Sequence, residues 1–133
     1  MLIPDQPLPI KNTLPDIIDL VTEDLYKLEG VPLEVVSGIV SDALERKQVG
    51  IKRYGQPLKP FDGRNTYVDL YQEILDALNY MRKLLYETYP DTAPNTASKL
   101  DFMSQYKVLI RLAVWLKPFV TKSLDSAPTR TRA

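Results

Sequence analysis

The stretch Thr66–Thr88, TYVDLYQEILDALNYMRKLLYET, decides the fold. Read at the helical period, Leu70, Ile74, Ala77, Leu78, Met81 and Leu85 recur along one apolar stripe. Asp69, Glu73, Asp76, Tyr80 and Lys83 share the opposite face. No strand alternation runs through it. Asn65 stands where a capping side chain is expected, and Tyr89-Pro90 closes the segment.

Working outward, the same period continues on both sides. Leu33 to about Lys52 reads as a helix with Val35, Val36, Ile39, Val40, Ala43 and Leu44 on its apolar stripe. Gly38 costs that helix stability and points to close packing with a neighbour. Before it, Ile17, Ile18, Val21, Leu25 and Leu28 form a first helix, with Thr13 as cap, Pro15 in the first turn and Asp16 complementing the dipole. Gly30 and Pro32 end it. Met1 to Leu14 is extended and broken by prolines. Tyr54 to Asn65 holds two prolines and two glycines and reads as an ordered loop of the kind that often carries function.

Downstream, Asp91 to Ala97 is a polar connector. A last helix runs from about Ser98 to Leu116 or beyond, with Phe102, Val108, Leu109, Leu112, Ala113, Trp115 and Leu116. Pro118 is expected to break or kink it. The tail from Ser126 to Ala133 is small, polar and basic, and is expected to be disordered. The expectation is an all-α fold of about four helices with a long ordered loop between the second and third, in one domain over residues 1–125.

Composition narrows the chemistry. The chain of 133 residues has no cysteine and no histidine. Disulfides, thiolate nucleophiles, Cys/His zinc sites and histidine-based triads are therefore excluded. Hydrolytic work would fall to carboxylates, lysines, tyrosines and hydroxyls, and oxygen ligands suit hard ions such as Mg²⁺ or Mn²⁺. Seventeen basic side chains balance seventeen acidic ones. That balance argues against nucleic acid or an anionic membrane surface as partner. The first ten residues do not read as a signal peptide, and no apolar run is long enough to span a bilayer, so a cytoplasmic protein is expected.

Two acidic pairs stand at i,i+3, Asp42 with Glu45 and Glu73 with Asp76. That spacing stacks both carboxylates on one helix face. Bringing two such faces together concentrates negative charge, which divalent cations bridging to phosphate oxygens would relieve. Spacing alone is a weak signal. Seventeen acids in a chain this long give about two such pairs by chance, and the sequence holds three when Asp16 with Asp19 is included. A solvated helix face has the same pattern.

The span from Ser41 to Tyr86 carries more. It joins SDALERKQVGIKRYG (41–55), the loop QPLKPFDGRN (56–65) and DLYQEILDALNY (69–80). This resembles the small MazG-like pyrophosphohydrolases of bacteriophages and bacteria. Those have an acidic helix pair, a Lys-Tyr-Gly-x-Pro-Leu loop ending in Gly-Arg, and a second pair inside Glu-x-x-Asp. Here 27 residues separate Glu45 from Glu73, and Asp42 stands where the family has the longer Glu. The matched span covers about a third of the chain. Within the family the likeness is to the phage MazZ-type enzymes.

The resemblance implies hydrolysis of dGTP and dATP to the monophosphate and pyrophosphate, supplying dGMP for modified-purine synthesis in a phage-infected host. It implies two or three Mg²⁺ or Mn²⁺ per site and a homodimer or homotetramer. Asp42, Glu45, Asp69, Glu73 and Asp76 are the expected metal ligands. Glu45, Glu73 and Asp76 are the expected catalytic carboxylates, with Glu45 as base. Lys52, Tyr54, Arg64, Asn65, Tyr80 and Lys83 are expected to hold substrate.

Plainer roles compete for several of these. Lys52 and Arg53 suit the negative end of a helix dipole, and Asn65 suits an N-cap. A base could stack on Tyr54, Phe61 or Tyr67, or Phe61 and Tyr67 could anchor the loop on the core. Lys59 reads as plain surface, and Trp115 as core or interface. Two other functions stay open: a pyrophosphohydrolase for dUTP or a damaged nucleotide, and a helical interaction module without catalysis.

Overall fold

In the computed structural model, which describes residues 3–126, all regular structure among the described residues is α-helical. The helices are α1 (Ile17–Tyr26), α2 (Leu33–Tyr54), α3 (Thr66–Thr88) and α4 (Ala97–Asp125). The described chain divides into two compact units, residues 4–64 with α1 and α2, and residue 3 with 65–126, which holds α3 and α4.

In the unit of α3 and α4, Asn65 caps α3, its side-chain oxygen accepting from the Val68 N–H at 3.3 Å. Its amide nitrogen donates to Ser123 Oγ at 2.9 Å, so the cap is tied to α4. The core is Val68, Ile74, Leu116 and Val120, with Ile3, Tyr71, Leu112, Ala113 and Leu124 packed around it. Burying each large aliphatic there contributes roughly 1.5–3 kcal/mol. Tyr67 stacks on Phe119 with ring centroids 5.9 Å apart, and Tyr89 meets Phe102 edge-on at 5.4 Å. Thr96 caps α4 by accepting from the Lys99 N–H.

Two expectations fail in this unit. Leu70 is exposed, because the stripe that meets α4 is centred on Val68, Tyr71 and Ile74, a fraction of a turn away. Pro118 neither ends nor interrupts α4. The carbonyl it leaves without a donor belongs to Val114, itself exposed, so water can satisfy it. Trp115, 58% exposed, leans on Phe119 and is not core.

In the unit of α1 and α2, Val36 and Val40 are the buried residues of α2, and α1 packs on α2 with none of its own residues fully buried. Val35, Ile39 and Leu44 are exposed. Nothing lies within 4 Å of a β-carbon built on Gly38, so within the chain that glycine marks no close approach. Asp16, not Thr13, precedes α1, and its side chain makes no cap bond. Its carboxylate is instead paired with Lys47 of α2 and Lys59 of the loop. Leu28 lies beyond the end of α1, which Lys27 closes ahead of the left-handed Gly30.

The expected tail, apart from Ser126, lies outside the described residues. Among the described residues no helix is long and apolar enough to cross a membrane.

Candidate active site

On α2 the buried and half-buried side carries Val36, Val40, Ala43 and Lys47. At about 100° per residue, Asp42 and Glu45 project from the other side, one turn apart. On α3 the core side holds Val68, Tyr71 and Ile74, and Glu73 and Asp76 fall on the side away from α4, with Asp69 one turn before them. Asp42, Glu45, Glu73 and Asp76 are exposed, and Asp69 is half-buried. None of those four exposed carboxylates has an ion-pair or hydrogen-bond partner among the described residues. Among the described residues no group of three or more acids converges where it could hold a metal ion.

Exposed apolar side chains flank both acidic pairs. Val35, Ile39 and Val49 lie around Asp42 and Glu45, and Leu70, Tyr80 and Leu84 around Glu73 and Asp76. Tyr80 is 69% exposed on the acidic face, as its spacing predicts. Lys83 pairs with Glu87 at i,i+4, 2.9 Å apart, with both side chains exposed.

The loop between α2 and α3 is held by the N-terminal segment, which acts as a strap. Gln56 reads the strap backbone with both ends of its amide: Nε2 donates to the Ile10 carbonyl, and Oε1 accepts from the Asn12 N–H. The Ile10 N–H donates to the Asp62 carbonyl at 2.7 Å, and Asn12 Nδ2 donates to the Pro60 carbonyl. Arg64 Nη1 donates to the Pro7 carbonyl at 2.8 Å. The Ile17 N–H, one of the orphan donors of α1, finds the Leu58 carbonyl.

Gly55 and Gly63 sit in this lacing at φ +79° and +83°. A β-carbon on Gly63 would meet Ile10 Cδ1 at 3.0 Å, so both backbone sign and space call for glycine there. Asp62, 5% exposed, accepts from the Arg64 N–H and keeps the turn closed.

Lys59 is not plain surface. Its side chain is 13% exposed and donates to the Leu14 carbonyl as well as pairing with Asp16. The hydrogen bonds from Lys59 and Lys47 hold the Asp16 carboxyl below its ordinary range, and Asp16 in turn raises Lys47. Phe61 does not anchor the loop: it is 90% exposed, with a left-handed backbone at φ +53° that a bulky side chain rarely adopts. Tyr67 does anchor, on Phe119. Asn65 serves as the cap, with both ends of its amide engaged. Tyr54 is half-buried beneath the Arg53 guanidinium, 5.1 Å from its ring centroid, while Lys52 is exposed in the last turn of α2.

The sequence reading missed the strap, and with it the pairing of Asn12 and Asp16 with the loop residues Gln56, Pro60 and Lys59 and the contact of Lys11 with Gly55. One signal was available: a proline-broken extended segment cannot bond to itself, so its N–H and C=O groups must pair elsewhere.

No protein-family model matches the chain. No curated protein matches it, and no solved structure does.

Proposed function

We propose that this chain is a metal-dependent nucleoside triphosphate pyrophosphohydrolase acting on purine deoxynucleoside triphosphates, dGTP and dATP. The observation that supports it is the placement of the acids. Each helical pair turns an unpaired i,i+3 carboxylate pair outward, among exposed aliphatic residues. A solvated face stabilised by ion pairs would place lysines or arginines one turn along. Here Val49 follows Glu45, Ala77 follows Glu73 and Tyr80 follows Asp76 at that spacing. Arg46, one turn after Asp42, makes no ion pair with it.

The donor set fits hard divalent ions, being carboxylate oxygen in a chain without histidine or cysteine. Asp42 and Glu45 on α2, and Asp69, Glu73 and Asp76 on α3, are the carboxylates that would supply ligands. When bound, Mg²⁺ or Mn²⁺ acidifies water and offsets triphosphate charge.

The chain's own part is then as follows. Glu45 takes the proton of the attacking water, since no histidine is present to do so. The new bond forms at the α-phosphorus, the bond from it to the bridging oxygen breaks, and pyrophosphate leaves. Lys52 lies on the same side of α2 as Glu45 and about 10 Å further along. That is a suitable reach for the distal phosphates.

A panel of dGTP, dATP, dCTP, dTTP and dUTP with Mg²⁺ and Mn²⁺, read by pyrophosphate release and nucleotide analysis, tests the reading. The expected products are dGMP and dAMP with pyrophosphate. Replacing Glu73 by Gln is expected to lower kcat by about three orders of magnitude or more, with an unchanged circular-dichroism melt because that side chain is exposed and unpartnered. Release of inorganic phosphate alone, or full turnover by Glu73→Gln, would count against it.

A further inference from the structure

The cations of the α1–α2 unit include matched and unmatched side chains. Lys47 and Lys59 are matched by Asp16. Lys11, Lys52 and Arg53 have no carboxylate partner among the described residues, and Arg53 makes only its ring contact with Tyr54. Lys27 and Arg46 are likewise unpaired among the described residues, and Lys11, Lys52 and Arg53 are the ones at the C-terminal end of α2. Lys52 and Arg53 are in the last turn of α2, and Gly55 closes that helix in the left-handed conformation.

Lys11 reaches the same spot from the strap. A β-carbon on Gly55 would lie 3.3 Å from both Lys11 Cε and Lys11 Nζ, so the end of the lysine rests directly on the glycine. The strap fixes it there through its two neighbours: Ile10 is bonded to Asp62 and Gln56, and Asn12 to Gln56 and Pro60. The ammonium makes no hydrogen bond to the carbonyls that end α2.

We propose that the strap lends Lys11 to the end of α2 as a polyphosphate-binding cation, completing with Lys52 and Arg53 a three-cation cradle beside Gly55. Gly55 has no side chain to stand between an incoming phosphate and the lysine, although its own N–H is given to the Ile51 carbonyl at 2.8 Å. The cradle lies beyond Glu45 along α2, on the side where the distal phosphates of a triphosphate would extend. This deepens the proposed function and rests on it for the identity of the ligand, although the cradle itself is defined by charge and geometry.

The test uses the full chain and two variants, Lys11→Met, which keeps the stem over Gly55 without the charge, and Lys11→Arg, which keeps the charge. Inorganic tripolyphosphate is titrated calorimetrically without divalent ions, and KM and kcat for dGTP are measured with Mn²⁺. Lys11→Met is expected to weaken tripolyphosphate binding and raise KM about tenfold each, the effect of one charge-assisted contact. Lys11→Arg is expected to restore most of the affinity, with kcat and the melting temperature little changed in either variant.

Tripolyphosphate binding by Lys11→Met equal to wild type, no binding by wild type, or a loss that tracks a fall in melting temperature in both variants would overturn the assignment. If tripolyphosphate binds through Lys11 but no nucleotide is cleaved, the cradle stands and the hydrolase reading falls. If dGTP is cleaved and Lys11→Met leaves KM unchanged, the hydrolase reading stands and the cradle falls.

Discussion

Glycine is used in three different ways in this chain, and substitution by alanine separates them. Gly63 has φ +83° and Ile10 pressed against it, so Gly63→Ala has both a backbone and a steric cost. A loss of about 1–3 kcal/mol is expected in denaturant unfolding. Gly38 lies in the interior of α2 with open space around it. Gly38→Ala is expected to stabilise the isolated chain by about 0.5–1 kcal/mol. A destabilising Gly38→Ala would show that another surface approaches the helix there. Gly55 serves helix termination and the approach of Lys11 together.

Within elements, helix α3 was the most legible part of the sequence. Its bounds, its Asn65 cap and the outward placing of Glu73 and Asp76 all follow from local pattern. Local pattern also placed α2 and the ordered loop after it. What it could not give was the pairing of residues 7–16 with 56–64, because those contacts span more than forty positions and are made by carbonyls, amides, one carboxylate, the Lys59 ammonium and the Arg64 guanidinium, with no periodic signature. Asp16 reads locally as a helix-start acid, and only the fold shows it bridging Lys47 and Lys59. Pro118 reads locally as a breaker, and only its exposed position on α4 shows why the helix passes through it.

The Asp16 node makes a pH prediction at this scale. Its carboxyl titrates below the ordinary 3.8, so its contribution is present above that value and lost as pH falls through the lower folded value. Lys47 titrates above the ordinary 10.5, so its contribution is present below that value and lost as pH rises through the raised one. Asp16→Asn is therefore expected to be less stable than wild type between pH 3.8 and 10.5, with the gap closing in stronger acid. Thermal melts across that range measure it, and a gap that persists unchanged well below pH 3.8 would assign the effect to packing instead.

For the whole molecule, charge is neutral in sum and uneven in use. Lys47, Lys59 and Lys83 are matched within the fold. The acids Asp42, Glu45, Glu73 and Asp76 and the cations Lys11, Lys52 and Arg53 are left without charged partners among the described residues. On the proposed function, one set would hold divalent ions and the other polyphosphate. Sequence spacing alone could not separate that arrangement from a solvated acidic face. The structure adds that these acids stand outward among Val35, Ile39, Val49, Leu70 and Leu84, all exposed.

Titration of Mn²⁺ into the full chain by calorimetry tests the central claim most directly, with Glu45→Gln and Glu73→Gln alongside. The account predicts more than one ion bound per wild-type chain, and weakened or lost binding in each variant, because both pairs supply ligands. Absence of Mn²⁺ binding by the wild type, or binding that neither substitution disturbs, would contradict it.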